Sequence, residues 1–161
     1  MRAPQVWSNV WHFLAFGFGT GLAKKAPGTW GTLAGLAVMP LLAMLPLWLG
    51  LVCIVLASIF GVWLCGRVAD DLGVHDHGGI VWDEMVGIWI TLIALPSTAL
   101  WWGLGFILFR LLDILKPWPI AWLDRHVGGG LGIMLDDILA GLIAAALLYA
   151  IWWSDVLMLA Y

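Results

Sequence analysis

The sequence predicts an all-α fold: a polytopic membrane helix bundle of about five transmembrane or re-entrant helices, with a short interfacial helix at the N-terminus. Two observations carry this. Of 161 residues, 63% are hydrophobic and only 11% are charged, and the mean hydropathy is +1.02. A soluble domain carries about 25% charged residues, so this chain has too few to cover a water-exposed surface and must face lipid. The apolar stretches are also long, and polar loops and prolines divide them into pieces near the roughly 20 residues that one span needs. The 13 Trp suit such a protein, because indole sits well at the headgroup level.

The elements follow in order. Residues 5–16 are Trp-rich, with Val6, Val10, Phe13 and Leu14 at helical spacing, which suits a helix lying on the membrane surface. This stretch is too short and too interrupted for a cleaved signal peptide. Residues 17–32, rich in Gly, Lys and Thr, read as a loop. From about 30 to 64 the chain is apolar and is punctuated by Pro40, Pro46 and Gly50, which predicts a hairpin of two spans, 30–46 and 48–66. A polar loop covers 67–79. A third span over 80–95 ends at Pro96, and a fourth over 98–115 is stopped by Pro117. A fifth covers 131–153. No internal repeat divides the chain, so residues 1–161 read as a single domain.

Five spans put the termini on opposite sides. With the N-terminus inside, all seven Lys and Arg fall on inner segments: Arg2, Lys24, Lys25, Arg67, Arg110, Lys116 and Arg125. The positive-inside rule then predicts N-in, C-out. Acids do not set topology, yet nine of the ten also fall inside, with Asp155 the exception, and so do all four His. No basic run points to nucleic acid. Cys53 and Cys65 lie in one apolar stretch and read as small core or lipid-facing residues.

Four acidic groups stand out on the inner side. Asp70, Asp71 and Asp76 share a loop with His75 and His77. Asp83 and Glu84 open the third span. Asp113 closes the fourth between Arg110 and Lys116, on one helix face. Asp136 and Asp137 open the fifth. An ionised carboxylate at the hydrocarbon edge is costly unless paired or metal-bound. A first-turn acid also serves as a cap or complements the helix dipole. A cap needs one carboxylate, however, and an adjacent second would repel it. Carboxylates without cysteine ligands suit a hard divalent ion such as Mg2+. Three helix starts at the inner face also offer free N–H groups to an anion, the first within Ala26-Pro27-Gly28-Thr29-Trp30-Gly31-Thr32. Together these point to metal-assisted phosphate chemistry on a lipid headgroup. The signatures of cysteine-dependent phosphatases, haloacid-dehalogenase enzymes, type-2 phosphatidic-acid phosphatases and CDP-alcohol phosphotransferases are missing.

Several segments resemble the phosphatidylglycerophosphatase A family. They are Gly17-Phe18-Gly19-Thr20-Gly21 with Pro27-Gly28-Thr29-Trp30-Gly31-Thr32; Val74-His75-Asp76-His77-Gly78-Gly79-Ile80-Val81-Trp82-Asp83-Glu84; Phe109-Arg110 through Asp113 to Lys116-Pro117-Trp118-Pro119-Ile120; and Gly132-Ile133-Met134-Leu135-Asp136-Asp137-Ile138 with Ala140-Gly141. The resemblance runs over about residues 7–150, in order. It implies a bacterial inner-membrane lipid phosphatase that hydrolyses phosphatidylglycerophosphate to phosphatidylglycerol and phosphate with Mg2+, acting at the cytoplasmic face. Lys25 fits a common basic position of the family, while Lys24 departs from it. On this reading Asp83, Glu84, Asp136 and Asp137 hold the metal. Lys25, Thr29, Thr32, Arg110 and Lys116 hold phosphoryl oxygens. Asp76 or His75 transfers protons, and Asp113 is counted with them as a catalytic residue that could also join the metal ligands. Attack by water and attack by an Asp carboxylate both stay open. A lipid phosphotransferase using the same carboxylates is the alternative enzyme. A transporter would need polar residues along a path, yet Thr91 is the deepest polar side chain of the third span. A scaffold would not need two carboxylate pairs.

Overall fold

The computed structural model describes the backbone of residues 3–159 and the side chains of residues 3–154. Arg2 and the Asp155 side chain, assigned above to the inner and outer faces, lie outside the described residues. Among these there are seven α-helices and no strand. α1 (Val10–Ala15) is capped by Asn9, whose side-chain oxygen accepts the Trp11 N–H at 2.9 Å. A 3-10 segment, Gly17–Leu22, then turns the chain through left-handed Gly17, Phe18 and Gly19. α2 (Pro27–Ala43) begins on a proline, whose missing N–H would have no partner in a first turn.

α3 (Leu47–Leu72) ends at left-handed Gly73. There the Gly73 and Val74 N–H groups donate to the carbonyls of Asp70 at 3.0 Å and Ala69 at 3.1 Å. α4 (Trp82–Leu92) is followed by α5 (Ala99–Leu115), the short α6 (Ile120–His126) and α7 (Gly129–Leu159).

Two helices are long and apolar enough to cross a membrane, Leu47–Leu72 and the Gly129–Ser154 part of α7. α2 and α5 have 17 residues each and α4 has 11. At 1.5 Å per residue α4 is roughly 17 Å long, against a hydrocarbon core of roughly 30 Å. It is the centre of the bundle: α2, α3, α5 and α7 all pack on it, and Met85, Val86, Gly87, Ile88 and Leu92 are buried. A helix apolar all round belongs inside. The outer helices present bulky apolar side chains instead, such as Val55, Leu56 and Ile59 on α3 and Leu100, Ile107 and Leu111 on α5.

Lipid tails are as apolar as leucine, so burial alone does not drive such helices together. Close packing and interhelical hydrogen bonds do. A Cβ on Gly141 of α7 would meet the Gly87 carbonyl oxygen of α4 at 2.6 Å, and one on Gly35 of α2 would meet Met85 Cα at 2.8 Å. These close approaches bring side-chain donors within reach. Trp89 Nε1 donates to Gly35 O at 2.8 Å, and Trp82 Nε1 donates to Ala57 O of α3 at 3.1 Å.

Several boundaries differ from the sequence reading. α2 starts at Pro27, inside the stretch expected to be a loop. α3 runs on to Leu72, so Arg67, Asp70 and Asp71 are helical, because the stop signal is Gly73 and not the end of hydrophobicity. α7 starts at Gly129, which puts Asp136 and Asp137 two turns inside the helix. The expected loop after Lys116 contains α6. Of the apolar face expected at the N-terminus, Val10 is exposed, Phe13 and Leu14 are half-buried and Val6 is buried, and His12 and Ala15 are buried beside it. Both cysteines are free, and Cys65 is buried.

The α4–α7 crossing yields a test. Gly141→Leu forces backbone apart and costs about 1–3 kcal/mol or more, read as a lower melting temperature in detergent. Gly103→Leu, with nothing near its Cβ position, leaves that temperature unchanged. Equal effects of the two would remove the crossing from the account.

Candidate active site

One end of the bundle collects the acids. Oxygens of Asp83, Glu84 and Asp137 lie within 4.8 Å of one another. Asp83 and Glu84 come from the first turn of α4 and Asp137 from the third turn of α7, brought together by the α4–α7 crossing. Asp83 also accepts the Glu84 N–H within the first turn of its own helix, at 3.0 Å. Asp137 is 2% exposed. Glu84 Oε2 and Asp137 Oδ1 are buried without a hydrogen-bond partner among the described residues. A buried carboxylate oxygen left unpaired is costly. Three carboxylates around one point, with no Cys or His among them, fit a hard divalent cation.

Arg110 of α5 stands beside this cluster. Its Nη1 lies 3.8 Å from Glu84 Oε1 and donates to Asp113 one turn on. Thr32 of α2 gives its hydroxyl proton to Gly28 O at 2.8 Å, so its oxygen is left to accept from Arg110 Nη1, at 3.5 Å. Gly28 has to be a glycine here: a Cβ would run into the Glu84 carboxylate and crowd the Arg110 guanidinium.

Lys116 ends α5 in the left-handed region, φ 42 and ψ 58, where glycine is usual. A side chain there costs roughly 1–2 kcal/mol. The return is an ammonium that bridges Asp124 and Asp136, the latter at 2.6 Å. Burial works against the Lys116 charge, but the hydrogen bonds to Asp124 and Asp136 outweigh it and hold the group above the ordinary lysine range.

A cavity of about 240 Å³ opens beside the cluster, lined by His75, Asp76, Asp83, Asp124, Gly132 and Asp136 among others. His75 and Asp76 are exposed at it. Of the four acids expected to hold a metal, the structure brings three together, and Lys116 engages the fourth, Asp136. Arg110, Asp113 and Thr32 lie at the cluster, with Thr32 positioning Arg110. Thr29 is half-buried near the start of α2, while Lys25 is exposed and forms no ion pair among the described residues. His77 turns away: its Nδ1 accepts the Gly79 N–H at 3.0 Å and its ring packs on Phe16. Sequence reasoning missed Asp124, whose place opposite Lys116 depends on α6, and it missed the packing role of Gly28.

The family model for phosphatidylglycerophosphatase A matches residues 13–152. The chain is 54% identical over 145 residues to the phosphatidylglycerophosphatase A of Escherichia coli strain K12, covering 89% of this chain and 84% of that protein. It is 48% identical over 148 residues to the phosphatidylglycerophosphatase A of Haemophilus influenzae, covering 90% and 91%. No solved structure matches the chain. The family match takes in every carboxylate of the cluster together with Arg110 and Lys116, and the chain belongs to the phosphatidylglycerophosphatase A family.

Proposed function

We propose that this phosphatase hydrolyses phosphatidylglycerophosphate to phosphatidylglycerol and phosphate with Mg2+, on the cytoplasmic side of a bacterial inner membrane. The observation that carries the reading is the convergence of Asp83, Glu84 and Asp137 beside Arg110 at one end of an apolar bundle. The substrate is a lipid, so its headgroup reaches that end while its tails stay in the bilayer. The one-sided placement of the cations supports the cytoplasmic assignment: the five-span topology read from the sequence puts Lys24, Lys25, Arg67, Arg110, Lys116 and Arg125 all on inner segments.

Asp83, Glu84 and Asp137 would hold the Mg2+, which when bound polarises the phosphoryl group. Arg110 takes a phosphoryl oxygen, held in place by Asp113 and Thr32. Lys116, tied to Asp136 and Asp124 at the cavity wall, offsets charge that develops as the P–O ester bond breaks. Asp76, exposed at the cavity with His75, accepts the proton of the attacking water. The glycerol oxygen leaves with the electron pair and takes up a proton.

Purified protein is expected to release phosphate from phosphatidylglycerophosphate, to lose this activity with a chelator, and to regain it with Mg2+. Asp83→Asn, Glu84→Gln and Asp137→Asn each lower the rate roughly 10²-fold or more, and calorimetry reads weaker Mg2+ binding. Near-normal release from all three would discard the site.

Lys116→Met lowers kcat/KM by roughly ten- to a hundredfold, and Lys116→Arg retains more activity. Because the folded-state pKa of Lys116 is raised, its ion pairs stabilise the protein below the unfolded lysine value of about 10.4. That contribution is lost only as pH rises through the folded value. The stability difference between wild type and Lys116→Met is therefore flat across neutral pH; a difference that titrates there contradicts the assignment.

A further inference from the structure

A second polar cavity, of about 340 Å³, lies where α1 meets the end of α3, lined by Ala3, Gln5, Asn9, His12, Arg67 and Asp71. It shares no residue with the cavity at the acidic cluster. His12 is 4% exposed, and its Nδ1 accepts the Gln5 backbone N–H at 3.2 Å. A neutral imidazole so engaged carries its proton on Nε2, and Nε2 lies 3.6 Å from Asp71 Oδ2. The ring is held parallel to Phe16, at 5° and 6.5 Å between centroids.

Arg67 supplies the cation. Its guanidinium lies 5.9 Å from the Trp11 ring and 5.6 Å from the Trp63 ring, and it forms no ion pair among the described residues. Cation–π contacts fix the group and leave its N–H donors for an anion, which a guanidinium can hold by two parallel bonds. Indole pairs of this kind sit at the headgroup level of a bilayer. Asp71, with its side chain 42% exposed, supplies an acceptor across from the cation.

We propose that this cavity is a second lipid site, taking the phosphodiester of a membrane phospholipid whose headgroup ends in a hydrogen-bond donor. Arg67 and the His12 Nε2–H take the phosphodiester oxygens, and Asp71 accepts from the terminal hydroxyl or ammonium. A phosphodiester carries one negative charge and meets one fixed cation. Inorganic phosphate would set a second charge against Asp71.

The test uses the full chain in a non-ionic detergent, titrated with soluble dihexanoyl phosphatidylglycerol, phosphatidylethanolamine and phosphatidylcholine, and reads bound lipid by native mass spectrometry. The first two bind. Phosphatidylcholine, which has no terminal donor, binds more weakly, and Asp71→Asn narrows that difference. Arg67→Gln weakens binding about tenfold or more, Arg67→Lys recovers part of the loss, and Glu84→Gln leaves binding unchanged, which separates this site from the acidic cluster. Wild-type binding by a folded Arg67→Gln protein would overturn the proposal. So would equal binding of phosphatidylcholine, no recovery with Arg67→Lys, a matching loss with Glu84→Gln, or displacement of the lipid by inorganic phosphate at equal concentration.

Discussion

Carboxylates held at the edge of an apolar bundle are the constraint on which the rest of this structure depends. The ionised form of each costs several kcal/mol to desolvate unless it is paired, and Asp83, Glu84, Asp136 and Asp137 all sit at that edge. The surroundings answer them one by one. Arg110 reaches Glu84 and Asp113, and Lys116 reaches Asp136 and Asp124. Gly28 withdraws its side chain so that Glu84 and Arg110 fit beneath α2. The protein still does not complete the balance alone. Glu84 Oε2, Asp136 Oδ1 and Asp137 Oδ1 remain buried without partners among the described residues. A divalent cation and an anionic headgroup are the chemistry that would complete it.

The short central helix makes that edge possible. α4 has only 11 residues, and its neighbours surround it. Its acid pair therefore opens inward onto α5 and α7 and not onto lipid. Small residues let the backbones close in: Gly87 against Gly141 and Gly35 against Met85. Thr91 illustrates the same economy. It looks like the deepest polar group of its helix, yet its hydroxyl donates to Gly87 O at 2.9 Å and lies 3.4 Å from Gly141 O. It is part of the packing, and no polar path is needed to explain it.

The two polar cavities divide the acids and histidines around the end of α3 between them. Asp76 and His75 face the acidic cluster. Asp71, on the last turns of α3, pairs with His12 beneath α1. His77 lies between them in sequence and packs on Phe16, which in turn stacks on His12. The end of α3 thus serves one cavity and the loop after it the other, and the division falls at Gly73, which ends the helix.

The amino-acid sequence alone carried the all-helical class, the family, and runs apolar enough to cross a membrane, and it singled out Asp83, Glu84 and Asp137, which the structure gathers at one end of the bundle. Hydrophobic runs, prolines and paired acids are local signals, and motif spacing survives without coordinates. Helix ends were less legible: α3 outran its apolar stretch to Gly73, because polar residues continue a helix until a residue such as glycine ends it. Only the tertiary structure decided which carboxylates converge. Asp136 and Asp137 are neighbours in sequence, but successive helical residues point about 100° apart. One therefore joins Asp83 and Glu84 while the other turns to Lys116. Asp124, the buried Thr32 hydroxyl and the cavity beneath α1 were likewise beyond reach of spacing, since each depends on elements far apart in the chain meeting at one place.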